Sequence, residues 1–345
     1  MSHLGRIITI FCLFILKVKA EEEVLEELGL AEKAFDDQYL GCRQAMEDQI
    51  KTQSIFKAEM SANKDFRRAW NEAERIWDQK TKDSDDLHLP EGFIDLHAVA
   101  IVAYTGFIRT RFNEAVKSAG KSYRAYMDDF HFKFLHYYLT VALQLLYKDC
   151  EGKPQITYQG YEDLLYWLPS GTTRVKFGHF LHTSSSQSEA FQAGNTSFFT
   201  VLGCSGVPVD RFSEYPHEEE VVFPGYEVFT VMQIQEELNE FYLHSTGRWC
   251  SNFNCALIQG EHSKISVDDC INSVGNLTGP DREVWLRNMS EVAFSAVGNL
   301  TGPDREVWLR NMSEVAFSAG PPGPGFRSAA AGLASLIAAV VTFLF

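Results

Sequence analysis

The sequence predicts an α+β chain, with helices gathered in its first half and strands in its second. Two observations carry this. Residues 30–150 interleave charges with apolar residues at helical spacing, as over Asp65 to Gln79 and Arg109 to Lys121, while Phe130 to Leu146 is apolar almost throughout. From Gln155 onward short β-branched and aromatic runs take over, separated by turn residues such as Pro169-Ser170-Gly171 and Pro224-Gly225. The runs are Arg174 to Leu181, Ser197 to Leu202, Glu219 to Phe223, Glu227 to Met232 and Asn252 to Ile258.

The segments follow in chain order. Residues 1–20 read as a secretory signal: Arg6 gives the basic start, Ile7 to Leu16 the apolar stretch, and Val18-Lys19-Ala20 the cleavage site. Residues 21–270 then suffice for one domain with a sizeable core. Residues 274–296 recur unchanged at 297–319, so 271–319 reads as a duplicated, glycosylated stalk. Residues 320–345 end in an apolar, uncharged tail, Ala329 to Phe345, preceded by a spacer and by Ser318-Ala319-Gly320. Small residues, spacer and tail in that order predict a glycolipid-anchor signal that is removed, with attachment at Ser318.

Secretion makes the cysteines disulfide candidates. Beyond the signal there are six: Cys42, Cys150, Cys204, Cys250, Cys255 and Cys270, which allow fifteen pairings. Sequons at Asn195, Asn276, Asn288, Asn299 and Asn311 agree with an extracellular surface. A net charge of -15 argues against nucleic acid as a partner, and no compact His/Cys cluster suggests a metal. The expected location is the outer face of the plasma membrane.

The segment His217 to Pro224 carries the chemistry. An acidic run enters an apolar, β-branched stretch closed by proline. Read as a strand, it puts Glu218 and Glu220 on one face and Glu219 on the other. Two carboxylates a few Å apart suit glycosyl transfer, one stabilising a sugar cation and the other acting on the acceptor. Other polar residues read as structural: His131 and His136 as packing residues, Ser184 to Ser186 as a turn, Asp36 and Asp37 as turn-formers beside Cys42. Phe198 is a candidate for stacking on a planar ligand, with core packing as its alternative.

Several separated motifs, in order, resemble the vertebrate arginine-specific ecto-ADP-ribosyltransferases over about residues 28–260. They are Phe35-Asp36-Asp37-Gln38-Tyr39-Leu40-Gly41-Cys42, Phe130-His131-Phe132-Lys133 with Tyr138-Leu139-Thr140, Phe177-Gly178-His179-Phe180 with Thr183-Ser184, Gly203-Cys204 with Gly206-Val207-Pro208, and residues 218–224. The resemblance implies a helical N-terminal part followed by two perpendicular β-sheets flanking an NAD cleft. It implies NAD as substrate, NADP being a further possibility, no metal, and an arginine-bearing protein as acceptor. Glu220 would hold the ribose and stabilise its cation as nicotinamide leaves. Glu218 would deprotonate the acceptor guanidinium, which is otherwise charged and unreactive. Gly160 would meet the nicotinamide amide. The family's Tyr-Arg-Gly reads Tyr158-Gln159-Gly160 here, and its Ser-Thr-Ser reads His182-Thr183-Ser184. Gln159, His182 and Ser184 therefore stand at nucleotide-binding positions, Ser184 about 6–7 Å beyond His182 on the same strand face. These departures leave a second reading, a catalytically silent surface glycoprotein that keeps the fold. The resemblance also implies bridges Cys42–Cys255 and Cys150–Cys204; Cys250 and Cys270 are then left, and a local bridge between them is expected.

Overall fold

The computed structural model describes residues 24–83, 88–148 and 154–260. The chain divides into a unit Met1–Gly275 and a second, Asn276–Phe345; the second unit, and with it the expected stalk and anchor tail, and the expected signal at 1–20, lie outside the described residues.

After a short strand β1 (Val24–Glu27), six α-helices and one π-helical turn (Ala125–Asp129) among the described residues build the N-terminal half. The α-helices are α1 (Arg43–Thr52), α2 (Ile55–Ala62), α3 (Lys64–Asp83), α4 (Asp95–Thr105), α5 (Arg109–Ala119) and α6 (Lys133–Leu146). Helix α6 runs through the core, with Phe134, Leu135, Tyr137, Leu139, Ala142 and Leu143 all buried. Its N-terminus is held by a buried carboxylate: Glu59 accepts from the backbone N–H groups of Lys133 at 2.7 Å and Phe134 at 3.0 Å. An anion at a helix N-terminus satisfies donors that have no partner within the helix. Burial still pushes the Glu59 carboxyl up to about 7. Among the described residues no helix is long and apolar enough to cross a membrane.

The second half is a sheet. Its strands are β2 (Gln155–Tyr161), β4 (Arg174–Val175), β5 (Leu181–Ser184), β6 (Ser197–Gly203), β7 (Val207–Pro208), β8 (Glu220–Phe223), β9 (Glu227–Gln235) and β10 (Glu240–Trp249). They lie in the order β4-β9-β10-β6-β2-β5-β8-β7, and β3 (Leu164–Trp167) pairs separately with β1. The division expected into two sheets survives as a near-seam. One residue pair, Tyr158 with Ser184, joins β2 to β5, whereas seven pairs join β2 to β6. One side of the sheet packs a cluster of Phe177, Phe199, Val201, Phe223, Phe229 and Phe241.

Two short helices complete the unit, α7 (Gln187–Gln192) and α8 (Ala256–Gln259). Residues 252–258, read from sequence as a strand, instead turn into α8, because Cys255 takes a left-handed backbone (φ 59°). The turn is fixed from a distance: the Asp37 carboxylate accepts from Cys255 N at 2.9 Å and Ala256 N at 2.8 Å. Asp36, beside it, bonds Asn252 N and forms a fully buried ion pair with Lys176. A disulfide joins Cys42 to Cys255 across 213 residues of sequence. Cys204 and Cys250 are also disulfide-bonded, and their expected partners Cys150 and Cys270 lie outside the described residues.

Candidate active site

Glu218 and Glu220 come together, but not by strand alternation. Glu218 closes a 3-10 turn, Pro216–Glu218, which proline at its start favours. Glu219 follows in a left-handed conformation (φ 49°), and β8 begins only at Glu220. The left-handed residue turns the chain so that Glu218 faces back over Glu220 while Glu219 projects to solvent and meets the Ser185 hydroxyl. Ser184 fixes the turn from β5: its hydroxyl donates to the Glu218 carbonyl at 2.6 Å and accepts from Ser186 N at 2.9 Å. The serine run ends as a helix start, since the Ser186 side chain caps α7.

Side chains from three elements meet at this turn. One donor atom each from His182, Glu218 and Glu220 lies within 4.8 Å of the others. His182 Nε2 is 2.6 Å from Glu220 Oε1, and Arg109 Nη1, from the first residue of α5, is 3.3 Å from the same oxygen. Arg109 is partly exposed, with 32% of its side chain accessible, while Glu220 is fully buried. The guanidinium already supplies positive charge at the carboxylates, which disfavours a second cation there. Burial and the neighbouring Glu220 push the Glu218 carboxyl above its usual range. The other oxygen of Glu220, Oε2, is buried with no hydrogen-bond partner. An unpartnered buried carboxylate oxygen is costly, and a ligand hydroxyl can satisfy it.

Gln159 and Gly160 sit on β2, opposite Phe199 and Phe198 of β6. A side chain at 160 has no room, because an added Cβ would stand 2.0 Å from Gly194 O and 2.4 Å from Ala190 O. Phe198 faces the same side as Gly160, opposite the side of Gln159 and Phe199. Its ring lies among Tyr158 and Phe191, at centroid distances of 6.2 and 5.9 Å. The structure thus brings Gln159, His182, Glu218 and Glu220 together and uses Ser184 to hold the backbone, while the register Gly160–Phe198, Tyr158–Ser184 and Ser184–Glu220 puts Phe198 on the sheet face of Glu220. Asn195 is exposed in the loop before β6; Asn276, Asn288, Asn299, Asn311 and Ser318 lie outside the described residues.

The profile of the NAD:arginine ADP-ribosyltransferases matches residues 28–251. The chain belongs to this family. Ecto-ADP-ribosyltransferase 5 of Bos taurus is 36% identical over 252 residues, 71% of this chain and 78% of the relative. T-cell ecto-ADP-ribosyltransferase 1 of Rattus norvegicus is 39% identical over 233 residues, 66% of this chain and 79% of the relative. The crystal structure of the eucaryotic mono-ADP-ribosyltransferase ART2.2 superimposes with a TM-score of 0.58 at 36% identity, covering 66% of this chain and 98% of its own. A mutant of ART2.2 has been solved in complex with NAD.

In this ADP-ribosyltransferase the residue that sequence reasoning missed is Arg109. It stands among several charges at the start of an amphipathic helix, and nothing in its spacing marks it; only the fold carries it to Glu220. His136, read as a packing residue, is buried between Tyr39 Oη at 2.7 Å and the Phe35 carbonyl at 3.1 Å. Burial pushes its imidazole down to about 3.

Proposed function

We propose that this chain transfers ADP-ribose from NAD to arginine side chains of surface or secreted proteins, releasing nicotinamide. The carrying observation is the meeting of Glu218 with a fully buried Glu220 in a chain of this family. Glu220, with its free Oε2, is suited to hold a ribose hydroxyl, and its charge opposes the sugar cation that develops as the nicotinamide bond breaks. Glu218 stands at the open side of the cluster, where an incoming guanidinium can lose its proton to it. Its raised proton affinity suits that role, because a base works best when its pKa approaches the working pH. Gln159 and Gly160 lie at the nicotinamide side, and NADP is a second candidate donor.

The surroundings of the site follow from the sequence. Residues 1–20 direct secretion, residues 271–319 form a glycosylated stalk, and Ser318 takes the glycolipid that holds the protein outside the cell. The relatives named above are themselves ecto-enzymes.

The test is nicotinamide release from NAD by the purified protein, with and without agmatine as a guanidine acceptor. Release together with ADP-ribosylagmatine is expected. Release that ignores agmatine would make the protein an NAD hydrolase. No release, from a protein in which Gln159→Arg with His182→Ser does restore it, would make the chain a silent surface glycoprotein.

A further inference from the structure

Gln159 and His182 stand where the family pattern has Arg and Ser, and the fold places them in one hydrogen-bonded series. Gln159 Nε2 donates to the Gly160 carbonyl at 2.6 Å. Gln159 Oε1 faces His182 Nδ1 at 3.3 Å, and His182 Nε2 faces Glu220 Oε1 at 2.6 Å. Arg109 Nη1 reaches that same Glu220 oxygen.

Counting donors and acceptors shows how these groups depend on one another. A backbone carbonyl only accepts, so the amide nitrogen of Gln159 belongs at Gly160 and the amide oxygen faces the imidazole. That oxygen also only accepts, so Nδ1 must carry a hydrogen. A neutral ring protonated at Nδ1 then presents a bare Nε2 to a carboxylate oxygen. The other neutral tautomer satisfies Glu220 but sets a bare Nδ1 against Gln159 Oε1. Turning the amide over repairs that contact and opposes two oxygens at Gly160. With Glu220 ionised, no neutral ring satisfies every contact; the imidazolium does, as does a neutral ring that accepts a proton held on the Glu220 carboxyl.

We infer that Gln159 and His182 act as one positioning unit for Glu220, fixing its Oε1 and leaving Oε2 for the substrate, with Arg109 supplying the positive charge that Gln159 lacks. The two departures from the family are thus a matched pair rather than two separate losses. The charged and titratable groups around the ring are Arg109 from α5 and Glu218 and Glu220 from the turn into β8. The Tyr104 phenol of α4 lies within electrostatic reach of Arg109 and Glu220. Burial and Arg109 push the His182 imidazole below its ordinary value, against the pull of Glu220. The series is therefore fully bonded on the acid side and frustrated as pH rises, when a ligand can displace Nε2 from Glu220.

Two measurements test the unit, and only the second rests on the transferase reading. In a 15N-histidine NMR titration of the purified protein, with His182→Asn identifying the ring signals, Nε2 should stay protonated toward Glu220 while Nδ1 titrates below the ordinary histidine range. Gln159→Leu removes the acceptor of the Nδ1 hydrogen and should lower that titration further. Ring signals that are the same in wild type and Gln159→Leu would overturn the inference. In the kinetic measurement, Gln159→Arg, His182→Ser and the double variant are compared for kcat/KM with NAD and agmatine, each variant first checked by its melting temperature. The double variant should exceed the product of the single effects by about tenfold or more. The acid limb of the wild-type profile should move in His182→Ser. Single effects that simply multiply would also overturn the unit. NMR coupling in a protein that cleaves no NAD would leave the unit standing and remove the transferase reading.

Discussion

Ser184 donates its hydroxyl hydrogen to the backbone carbonyl of Glu218 at 2.6 Å, so a strand residue holds the turn on which an acidic side chain depends. Replacing Ser184 by Ala leaves that half-buried carbonyl, and Ser186 N, without this partner. The expected cost is about 1 kcal/mol of stability, read from a denaturant midpoint. Transfer to agmatine should fall about threefold to tenfold through kcat, with KM for NAD unchanged, because Glu218 and not the nucleotide loses its placement.

The two carboxylates should separate by substitution. Glu220→Gln removes the charge facing the sugar cation and should lower nicotinamide release by about 100-fold to 1000-fold. Glu218→Gln should keep release but abolish transfer to agmatine, leaving hydrolysis. The pH profile of transfer follows the sign of the Glu218 shift. Its proton affinity is raised by burial and by Glu220, so below that raised value the group is protonated and cannot accept from a guanidinium. Transfer should therefore fall on acidification at a higher pH than an ordinary glutamate would give, and the nicotinamide release that remains in Glu218→Gln should lack this limb.

Gly160 is constrained by its neighbours rather than by its backbone angles. A methyl group there meets two backbone carbonyls, Gly194 O and Ala190 O, and neither can swing aside as a flexible side chain would. Gly160→Ala should cost about 2 kcal/mol or more, measured by thermal or urea unfolding. A variant as stable as the parent would show that the loop between α7 and β6 yields freely.

Glu227 should contribute a loss of stability as pH rises from about 4.5 to 7, opposed in the lower part of that window by the buried imidazoles of His97, His136 and His179, which burial pushes down to about 4, 3 and 3. Glu227 is fully buried, accepting from Ser245 Oγ at 2.8 Å and Gly247 N at 3.0 Å, and burial pushes its carboxyl from 4.5 up to about 7. The folded chain therefore holds a proton that the unfolded chain releases within that window, and its stabilising share is complete below the window and lost through it. Asp37, pushed up to about 6, and Glu59, up to about 7, act in the same direction. Glu227→Gln should remove its own share of the slope, up to about 3 kcal/mol, in melts between pH 4.5 and 8. An unchanged slope would mean that the Glu227 side chain is hydrated.

Much of the fold could be read from the residues. Asp65 to Gln79 lies inside α3 and Ser197 to Leu202 inside β6, because both carry a strong period and bury one face or both. Strand β10 escaped notice since Glu240, His244, Ser245, Thr246 and Arg248 dilute its apolar alternation; its place is fixed by pairing with β6 and β9. Residues 252–258 look like a strand until Asp37, more than 200 residues away in sequence, caps them as a helix start. At the site, the residue types of Glu218 and Glu220 drew attention to the segment while their geometry was misread, because a left-handed Glu219 leaves no mark in composition. Arg109 and the Gln159–His182 contact are purely tertiary.

The lone Tyr158–Ser184 pairing has a mechanical consequence. The block that bears both glutamates is tied laterally to the rest of the sheet by a single rung, worth about 1–3 kcal/mol of backbone bonding. What holds the block in place is shared packing, Phe223 of β8 against Phe229 and the cluster around Phe199, so trimming those rings would loosen the glutamates sideways while every backbone rung stayed in register.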